Sequence, residues 1–304
     1  MRVLVTGASG FVGRHAVSAL IGAGAEVHAV ARETLPIGDC AWHQLDLLDP
    51  ESAVRIAREV KPDAVLHLAW CVDHGVFWTD PANANWVAAS LILARAAAEA
   101  GCTHFTGVGT CFEYNWPSTD DCHERTTPLA GHTLYDIAKS SARSVLDALF
   151  ASQGLGFAWA RLFFLYGPDE DPRRLVASVA RALVRGEAAR CSQGLAVRDF
   201  MDVRDCGAAL AAITLSGATD TINVGAGHGA RVAEVASMLG ELAGRPDLIK
   251  LGALPDRADE PVRIVADTTR LTTEVGFRPR FGLENGLRDS LAYWAADARQ
   301  ATTV

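Results

Sequence analysis

The stretch Arg2-Val-Leu-Val-Thr6-Gly7-Ala-Ser-Gly10-Phe-Val-Gly13 decides the fold of this chain. Its apolar first half predicts a buried strand, and residues 14–24 behind it have a helical pattern. Between the two, the glycines permit a tight turn and a close approach of the backbone, while the helix N-terminus offers free N–H groups and a positive dipole end. Strand, turn and helix together predict a cradle for the phosphates of a dinucleotide, formed by Gly7, Gly10, Phe11, Val12 and Gly13.

The spacing of these glycines departs from the general dinucleotide fingerprint. It is Gly-x-x-Gly-x-x-Gly instead of Gly-x-Gly-x-x-Gly, and Ala8 stands where that fingerprint has its second glycine. An ordinary glycine-rich turn is therefore the alternative interpretation. The position of the turn, directly between a strand and a helix, favours cofactor binding.

Strand patterns alternate with helical patterns after this turn. Strands are predicted at residues 26–31, 42–45, 63–69, 103–108 and 156–162, and later pieces at 173–185 (helix), 193–203 (strand), 204–215 (helix), 222–224 (strand) and 232–243 (helix). The alternation predicts an α/β fold, a Rossmann-type doubly wound parallel sheet with a smaller C-terminal lobe. We assign residues 1–165 to a dinucleotide-binding domain, with returning segments near 198–224 and 262–268, and residues 166–304 mostly to a substrate-binding lobe.

Composition argues against several classes of protein. A net charge of −8 and an isoelectric point near 5.6 argue against a nucleic-acid binder. No apolar run reaches the length of a membrane span, and the strand pattern at the start argues against a signal peptide. Seven cysteines without Cys-x-x-Cys predict free thiols in a reducing cytoplasm, and nine histidines without ligand spacing predict no metal site.

The end of the second predicted strand bears on the choice of cofactor. Val30-Ala31-Arg32-Glu33 stands where the fingerprint expects an acid on the ribose 2′-hydroxyl of NAD. Arg32 would instead pair with the 2′-phosphate of NADP, which favours NADP; Glu33 supplies the acid for NAD if the register shifts by one residue, and a surface pair is the third interpretation. Asp46 would accept a hydrogen bond from the adenine amino group, whereas Asp49-Pro50 would simply start a helix that runs to residue 60.

Tyr135-Asp-Ile-Ala-Lys139 lies in a segment with helical periodicity, which puts the phenol and the ammonium on one face, one turn apart. A phenol has a solution pKa of about 10 and needs a nearby positive charge to exchange protons near neutrality. Lys139 is placed to supply that charge. By itself this pattern is more often a solvated helix face, and its context is what favours catalysis.

Taken in order, these motifs resemble the extended short-chain dehydrogenase/reductase family, in its NAD-dependent epimerase/dehydratase-like branch that modifies nucleotide sugars. Each matching piece is modest, but their order and spacing together are specific and span nearly the whole chain. The pieces are Thr6-Gly7-x-x-Gly10-Phe11-x-Gly13, Asp46-Leu47, His67-Leu68-Ala69, Asn85, Thr110 four residues before Tyr114, Tyr135-x-x-x-Lys139, Arg161-Leu-Phe-x-x-Tyr-Gly-Pro168, Arg198-Asp-Phe-x-x-Val203, Asn223-Val-Gly225, and Arg263 with Asp267.

The resemblance implies roles for particular residues. Tyr135 is the general acid or base, Lys139 lowers the pKa of that tyrosine and bonds the nicotinamide ribose, and Thr110 hydrogen-bonds the reacting oxygen. Arg198 and Arg263 match positions that hold the substrate's diphosphate, and guanidinium forks suit phosphate oxygens. An ordinary loop threonine and two surface arginines are the alternatives. The implied cofactor-binding set adds to the glycine turn Arg32, Asp46, Leu47, Leu68, Ala69, Tyr135 and Lys139.

Departures from the family pattern narrow the reaction. In the 4,6-dehydratase members an Asp-Glu pair follows the catalytic threonine, but here that place holds Cys111-Phe112. Because a dehydratase needs a second acid–base pair to expel water, dehydration is disfavoured. Phe164 stands where many members have an asparagine near the substrate phosphates. Cys111 comes one residue after Thr110, not two as in the fucose-synthase type, and we interpret it as a buried thiol.

We therefore predict an NAD(P)-dependent oxidoreductase that acts on a nucleotide-diphosphate sugar, namely an NADPH-dependent reductase of a 4-keto-6-deoxy sugar nucleotide. The alternative is a 4-epimerase with tightly held NAD, and a rival from another class is a non-catalytic NADP-binding sensor on the same fold. Pairing of the helices at 81–100 and 135–153 across a two-fold axis, which is common in the family, predicts a homodimer. We expect a cytoplasmic protein without nucleic-acid or membrane partners.

Overall fold

A parallel sheet forms the centre of the computed structural model, which describes residues 1–116 and 119–302. The strands in chain order are β1 (Arg2–Thr6), β2 (Glu26–Ala31), β3 (Ala41–Gln44), β4 (Ala64–His67), β5 (His104–Thr110), β6 (Gly156–Leu162), β7 (Phe164–Tyr166), β8 (Ala189–Arg190), β9 (Val197–Asp202), β10 (Asp220–Val224), β11 (Gly229–Arg231), β12 (Ile249–Lys250) and β13 (Arg263–Ile264). Within the described residues the central sheet has seven strands in the order β10-β6-β5-β4-β1-β2-β3. The order runs outward from β1 in both directions, which confirms the predicted doubly wound α/β fold.

Helices cover both faces of this sheet. In chain order they are α1 (Gly13–Gly22), α2 (Pro50–Val60), α3 (Ala82–Glu99), α4 (Leu134–Ser152), α5 (Leu175–Val184), α6 (Val203–Ser216), α7 (Val232–Leu242), α8 (Thr269–Thr273) and α9 (Leu283–Thr302). One face packs against α1 and α6, and the other against α2, α3 and α4. The alternation of β1 serves both layers, because Val3 and Val5 are buried toward the first and Leu4 toward the second.

Polar caps fix where two of these helices begin. Asp49 accepts hydrogen bonds from the backbone N–H groups of Glu51 and Ser52, and Pro50 needs no acceptor, so α2 begins there as the sequence indicated. At the start of α4, Thr133 and Asp136 form a reciprocal capping box. The second cap fixes the first turn of α4, which contains the tyrosine of the Tyr-x-x-x-Lys motif.

A smaller assembly follows the carboxyl end of β6. There β9 pairs with β7, β11 and β13, and β8 pairs with β12. Three helices, α5, α7 and α9, share an apolar core with these strands through residues such as Val176, Val235 and Leu287. None of the helices in the described part of the chain is long and apolar enough to cross a membrane.

The chain crosses between the two assemblies more than once. After β9, α6 packs along α1, and β10 then joins the main sheet beside β6. The sequence predicted returning segments near 198–224 and 262–268, and these segments stay a prediction; within them β9 pairs with β13 in the smaller sheet, and β10 pairs with β6 in the main sheet. The division of the chain into domains at residue 165 stays a prediction.

Several predicted element bounds agree with the structure to within one residue, including the short strands β1 and β2. β6 covers the predicted residues 156–162, and α3 and α4 each differ by one residue at either end from the predicted 81–100 and 135–153. β4 covers only Ala64–His67 of the predicted 63–69, and β9 only Val197–Asp202 of the predicted 193–203. The apolar pattern continues past both strands, through Leu68 and Ala69 after β4 and Leu195 and Ala196 before β9, although these residues lie outside the strands.

Candidate functional site

The glycine turn between β1 and α1 presses against the chain just after β4. Gly7 has a φ of +67°, and a Cβ built there would lie 2.9 Å from the backbone nitrogen of Ala69. A Cβ on Gly13 would lie 2.1 Å from the carbonyl oxygen of Gly7. Val12, at the start of α1, gives no side-chain cap, so the first N–H groups of the helix have no side-chain partner. This turn has the close backbone and the uncapped helix end that a pyrophosphate requires.

A buried chain of hydrogen bonds holds β1, β4 and α3 together behind the turn. The Thr6 hydroxyl lies 2.7 Å from Nδ1 of His67, and Nε2 of His67 lies 2.8 Å from the Ser90 hydroxyl. Ser90 donates to the carbonyl oxygen of Trp86, and Thr6 accepts from the N–H of Ala69. These partners place the proton on Nε2, and burial lowers the pKa of His67 to about 3. His67 is therefore a neutral structural link and not an acid or base.

Thr110 and Tyr135 come together at the carboxyl end of β5. Thr110 is the last residue of β5 and Tyr135 lies in the first turn of α4, and each is 7% exposed. The Thr110 hydroxyl lowers the pKa of the phenol, in the direction opposite to burial. The backbone N–H of Tyr135 donates to the carbonyl of Trp78 at 3.1 Å, and the rings of Phe77 and Trp78 stand edge-on to the phenol ring. The loop after β4 thus covers the tyrosine.

Lys139 lies one helical turn after Tyr135, with its ammonium directed at β5 and a tryptophan. Its Nζ donates to the carbonyl oxygen of Val108 at 2.8 Å and lies 3.8 Å from the centre of the Trp70 ring. The same atom is 6.0 Å from the centre of the Tyr135 ring. Burial lowers the pKa of Lys139 to about 7, and the charge of Glu113 acts in the opposite direction.

Burial raises the pKa of Tyr135, and the charge of Glu113 raises it further, while Thr110 lowers it. The net direction is thus opposite to the lowering that the sequence predicted, and the contribution of Lys139 itself stays a prediction. The main cause is burial in the aromatic surroundings, while the Lys139 ammonium is directed at Val108. The phenol is therefore protonated near neutral pH.

Arg198 and Arg263 lie on the adjacent strands β9 and β13. Arg198 is 4% exposed and donates from Nη2 to Glu260 at 3.0 Å. Arg263 donates from Nε to Asp121 at 3.1 Å. Burial lowers the pKa of Arg198 and the charge of Glu260 opposes that effect. The structure brings the two arginines to neighbouring strands, each paired with a carboxylate from a loop.

The remaining cofactor residues of the sequence analysis follow the carboxyl ends of strands in the main sheet or belong to the glycine turn. Arg32 and Glu33 come directly after β2 and are exposed. Asp46 is exposed and accepts from the N–H of Leu48 at 2.9 Å. The apolar members of the set are buried or half-buried: Phe11, Val12, Leu47, Leu68 and Ala69. The contacts of these residues with a cofactor stay predictions.

A buried ion pair beneath Thr110 was not expected from the sequence. Glu113 is fully buried, and its Oε2 accepts from Nε of Arg161 at 2.9 Å. Its Oε1 accepts from the N–H of Thr110 and from Nε1 of Trp159, both at 2.9 Å. The available signal was an arginine within the apolar run of β6. Its partner Glu113 is 48 residues away along the chain. Sequence patterns predict contacts only between residues a few positions apart, so they could not identify this pair.

A row of aromatic side chains lies between the Tyr135 region and Arg198. Phe112 stands edge-on to Trp78, Trp116 and Phe164, with ring centres 4.8, 5.5 and 5.9 Å apart. The guanidinium of Arg198 lies 5.4 Å from the centre of the Phe164 ring. We call Trp78, Phe112, Trp116 and Phe164 the aromatic wall. The sequence singled out Phe112 and Phe164 only as departures from a pattern, and the contacts between them depend on the fold.

Comparison with known proteins gives consistent matches along the chain. The model of the NAD dependent epimerase/dehydratase family matches residues 3–225. The chain is 27% identical to GDP-6-deoxy-D-mannose reductase of Pseudomonas aeruginosa over 98% of this chain and 99% of that protein. It is 24% identical to dTDP-glucose 4,6-dehydratase of Shigella flexneri over 100% of this chain and 95% of that protein. Among solved structures, the UDP-glucose 4-epimerase of Thermus thermophilus in complex with NAD matches with a TM-score of 0.85 and 28% identity, covering 97% of this chain and 99% of that one.

Proposed function

This chain belongs to the NAD dependent epimerase/dehydratase family, and from that premise we propose that it is an NAD(P)-dependent oxidoreductase of nucleotide-diphosphate sugars. Its relatives include a reductase, a dehydratase and an epimerase of such sugars. Within that range we propose NADPH-dependent reduction of a 4-keto-6-deoxy sugar nucleotide. The observation that carries the proposal is that Tyr135, one helical turn before Lys139, is buried with Thr110 at the carboxyl end of β5.

Ketone reduction adds a hydride to the carbon and a proton to the oxygen of the carbonyl group. The reduced nicotinamide, when bound, supplies the hydride. Tyr135 donates its hydroxyl proton to the oxygen as negative charge develops there, and the Thr110 hydroxyl orients that oxygen. Because burial favours the protonated phenol, Tyr135 starts each turnover in the form that a reductase needs. The ammonium of Lys139 stabilises the phenolate that proton transfer leaves behind.

The glycine turn and Arg32 support the choice of cofactor. Gly7 and Gly13 leave no room for a Cβ, so the backbone approaches a phosphate closely at the start of α1. Arg32 is exposed just after β2, where the ribose of the adenosine half lies in this fold. A guanidinium there pairs with a 2′-phosphate, which supports NADPH as the hydride donor.

The aromatic wall and the two arginines support the proposed substrate class. Phe112 occupies a position near Thr110 where the dehydratase pattern has an acid, so a second acid–base pair for dehydration is not provided there. An aromatic ring at that place contacts a 6-deoxy methyl group favourably, whereas a hydroxyl or carboxylate at C6 would lose hydrogen bonds to water. Arg198 and Arg263, on adjacent strands, support diphosphate binding.

A 4-epimerase is the second candidate, and Glu33 together with the match to the Thermus thermophilus epimerase–NAD complex favours it. Glu33 follows Arg32 at the end of β2, where an acid would bond the 2′-hydroxyl of NAD. An epimerase oxidises and re-reduces the same sugar and returns its cofactor unchanged. Net oxidation of NADPH therefore distinguishes the two reactions.

Replacing Tyr135 with Phe tests the proposal. The wild type, given NADPH and a panel of 4-keto-6-deoxy sugar nucleotides, is expected to oxidise one NADPH per sugar reduced. Tyr135→Phe removes the proton donor and keeps the ring, so we expect kcat to fall by about 10²- to 10⁴-fold while NADPH still binds. Tyr293→Phe is the matched control, because its hydroxyl donates to Asp169 at the start of the loop before α5 and has no role in proton transfer.

Two results would contradict this proposal. Conversion of a sugar nucleotide with no net change in the cofactor would establish the epimerase instead. Undiminished turnover by Tyr135→Phe would remove Tyr135 from the reaction.

A further inference from the structure

Glu113 connects the groups of the proposed site, although it is fully buried and does not itself exchange a proton with substrate. We propose that Glu113 is a positioning residue for ketone reduction, which holds the backbone of Thr110, and with it the Thr110 hydroxyl, in place above the Arg161 and Trp159 side chains. This inference rests on the proposed function, since it requires Thr110 and Lys139 to act on a keto sugar. None of the motifs that carry the family resemblance gives Glu113 a role.

Hydrogen bonds reach the Glu113 carboxylate from three sides. Oε1 accepts from the N–H of Thr110, Oε2 accepts from Nε of Arg161, and Nε1 of Trp159 lies 2.9 and 3.2 Å from the two oxygens. The Thr110 hydroxyl in turn accepts from the N–H of Phe112 at 3.3 Å, which closes a reciprocal capping box. Thr110 is thus fixed through its backbone by a side chain that is itself clamped by β6.

The strand that carries Thr110 is fitted to this carboxylate. A Cβ on Gly109 would lie 2.3 Å from Oε1 of Glu113 and 2.2 Å from Nε1 of Trp159. Any larger residue at position 109 would push the carboxylate away from the N–H of Thr110. The glycine just before the proposed catalytic threonine therefore leaves the space that the side chains of Glu113 and Trp159 occupy.

Glu113 also acts on α4 by its charge. After burial, its charge has the largest effect on the pKa of Tyr135, which it raises, and it raises the pKa of Lys139 against the effect of burial. The other titratable or charged groups that face these residues or Glu113 in the described part of the chain are Cys111, Tyr114, Asp136, His67 and Arg161. Burial keeps His67 neutral, so it does not repel the Lys139 ammonium, and burial raises the pKa of the Cys111 thiol, so that thiol offers no negative charge.

Stability alone is a weak reason to retain a buried ion pair. Removing two charges from water costs about as much free energy as their attraction returns, and an apolar pair of similar size is often equally stable. Breaking such a pair by removing one partner is costly, about 3–5 kcal/mol, because the other charge remains buried. The hydrogen bond from the N–H of Thr110 to Glu113 supplies another reason: the Glu113–Arg161 pair orients a residue of the proposed site.

Lysine-selective labelling tests the charge component without any substrate. The chain has only three lysines, Lys61, Lys139 and Lys250, so ¹³C-lysine gives three Cε signals, and Lys139→Met identifies the one of interest. In Glu113→Gln we expect the pKa of Lys139 to fall by about 1, because a nearby opposite charge is lost. Glu124→Gln is the matched control: it is also a buried carboxylate that accepts from a backbone N–H, but it does not act on Lys139.

A second variant keeps the test possible if Glu113→Gln does not fold. If Glu113→Gln does not fold because Arg161 is left unpaired, the double variant Glu113→Gln/Arg161→Met removes both charges, and circular dichroism and thermal melting report its fold. Arg161 does not itself act on the pKa of Lys139, so the fall in that pKa is expected to persist. An unchanged pKa of Lys139 in either folded variant would overturn the charge component.

Steady-state kinetics test the positioning component. In Glu113→Gln we expect kcat to fall about 10- to 100-fold with a change in KM for the sugar nucleotide below about 3-fold, because an interaction that serves the transition state is lost. Removing the charge also lowers the pKa of Tyr135, so the loss of reductase activity at high pH begins at a lower pH. Glu124→Gln is expected to leave the pH profile unmoved even where it lowers thermal stability.

The outcomes separate this inference from the proposed function. If Glu113→Gln keeps the wild-type kcat and pH profile while Tyr135→Phe is inactive, the positioning role is rejected and the reductase stands. If the wild type reduces no keto sugar, the reductase is rejected, and the lysine titration still decides whether Glu113 keeps Lys139 charged.

Discussion

At the scale of single residues, the ammonium of Lys139 is the most sensitive group of the site. A carbonyl oxygen at 2.8 Å and a tryptophan face at 3.8 Å stabilise its charge without neutralising it. With a pKa lowered to about 7 by burial, the group is close to its titration point at neutral pH. Near its titration point, the protonated fraction of a group changes most when a neighbouring charge is added or removed. The charge of Glu113 is therefore expected to affect the protonation of Lys139.

Arg32 provides a prediction at the same scale. If this guanidinium binds the 2′-phosphate of NADPH, Arg32→Ala removes one charge-assisted contact and is expected to raise KM for NADPH about 10-fold, while KM for NADH is unchanged. Arg185→Ala, at an exposed position just after α5, is the control and is expected to change neither. A wild type that prefers NADH, with no effect of Arg32→Ala, would argue for Glu33 and NAD.

Some residue roles could be predicted from the sequence because their cause is local. Gly7 has a positive φ, and Gly13 packs directly against the carbonyl oxygen of Gly7 in the same turn. The spacing of the glycines in the sequence predicts such a turn. The direction of the Tyr135 pKa could not be predicted in this way. It depends on burial under Phe77 and Trp78 and on the charge of Glu113, which the fold brings together from separate segments.

At the scale of elements, two loops bring carboxylates to the arginines of the proposed diphosphate site. Glu260 lies in the loop between β12 and β13, and Asp121 lies in the segment between β5 and α4. Each acid pairs with an arginine on β9 or β13. A carboxylate at a guanidinium occupies the same N–H groups that a phosphate would use, so we infer that the two compete.

Glu260→Gln is expected to bind nucleoside diphosphates more tightly. The amide removes the competing charge from Arg198, so we expect Kd for GDP, UDP or dTDP to fall about 2- to 5-fold in calorimetric titrations, consistent with a partly exposed ion pair. Glu284→Gln is the matched control, since Glu284 pairs with Arg288 on the exposed side of α9. Weaker binding by Glu260→Gln would mean that Glu260 mainly orders its loop.

The elements that the sequence predicted well include those with a long pattern. The helices α3 and α4 have 18 and 19 residues with buried positions spaced about one turn apart, and β6 is a continuous buried run of the kind expected inside a parallel sheet. β8, β12 and β13 have two residues each, which is too short for any period. Pairing with a distant strand decides that they are strands, so the smaller sheet appears only in the folded structure.

At the scale of the whole molecule, the outer side of α4 exposes apolar side chains. Ile137 and Val145 are each 50% exposed, and Leu129 beside them is 44% exposed. An exposed apolar surface of this kind often marks a contact with another chain. The helices predicted to pair across a two-fold axis, α3 and α4, lie side by side in this layer. We propose that this surface forms the homodimer contact.

Val145→Arg tests that proposal. The wild type is expected to have a mass about twice the 32.3 kDa of one chain by multi-angle light scattering, and the variant the mass of one chain. Two guanidinium groups facing each other across the axis would repel and would be desolvated. Leu254→Arg, at another exposed apolar position in a loop, is the control and should stay dimeric. A monomeric wild type would rule out the proposed contact.

The return of α6 and β10 to the main sheet has a consequence for the synthesis of the protein. Until residue 224 has left the ribosome, β6 has an open edge and the apolar side of α1 lacks its partner α6. The nascent chain therefore carries an incomplete sheet while residues 163–224 are being translated. During that interval we expect the open edge of β6 to be the place where the chain is most prone to pair with another nascent chain.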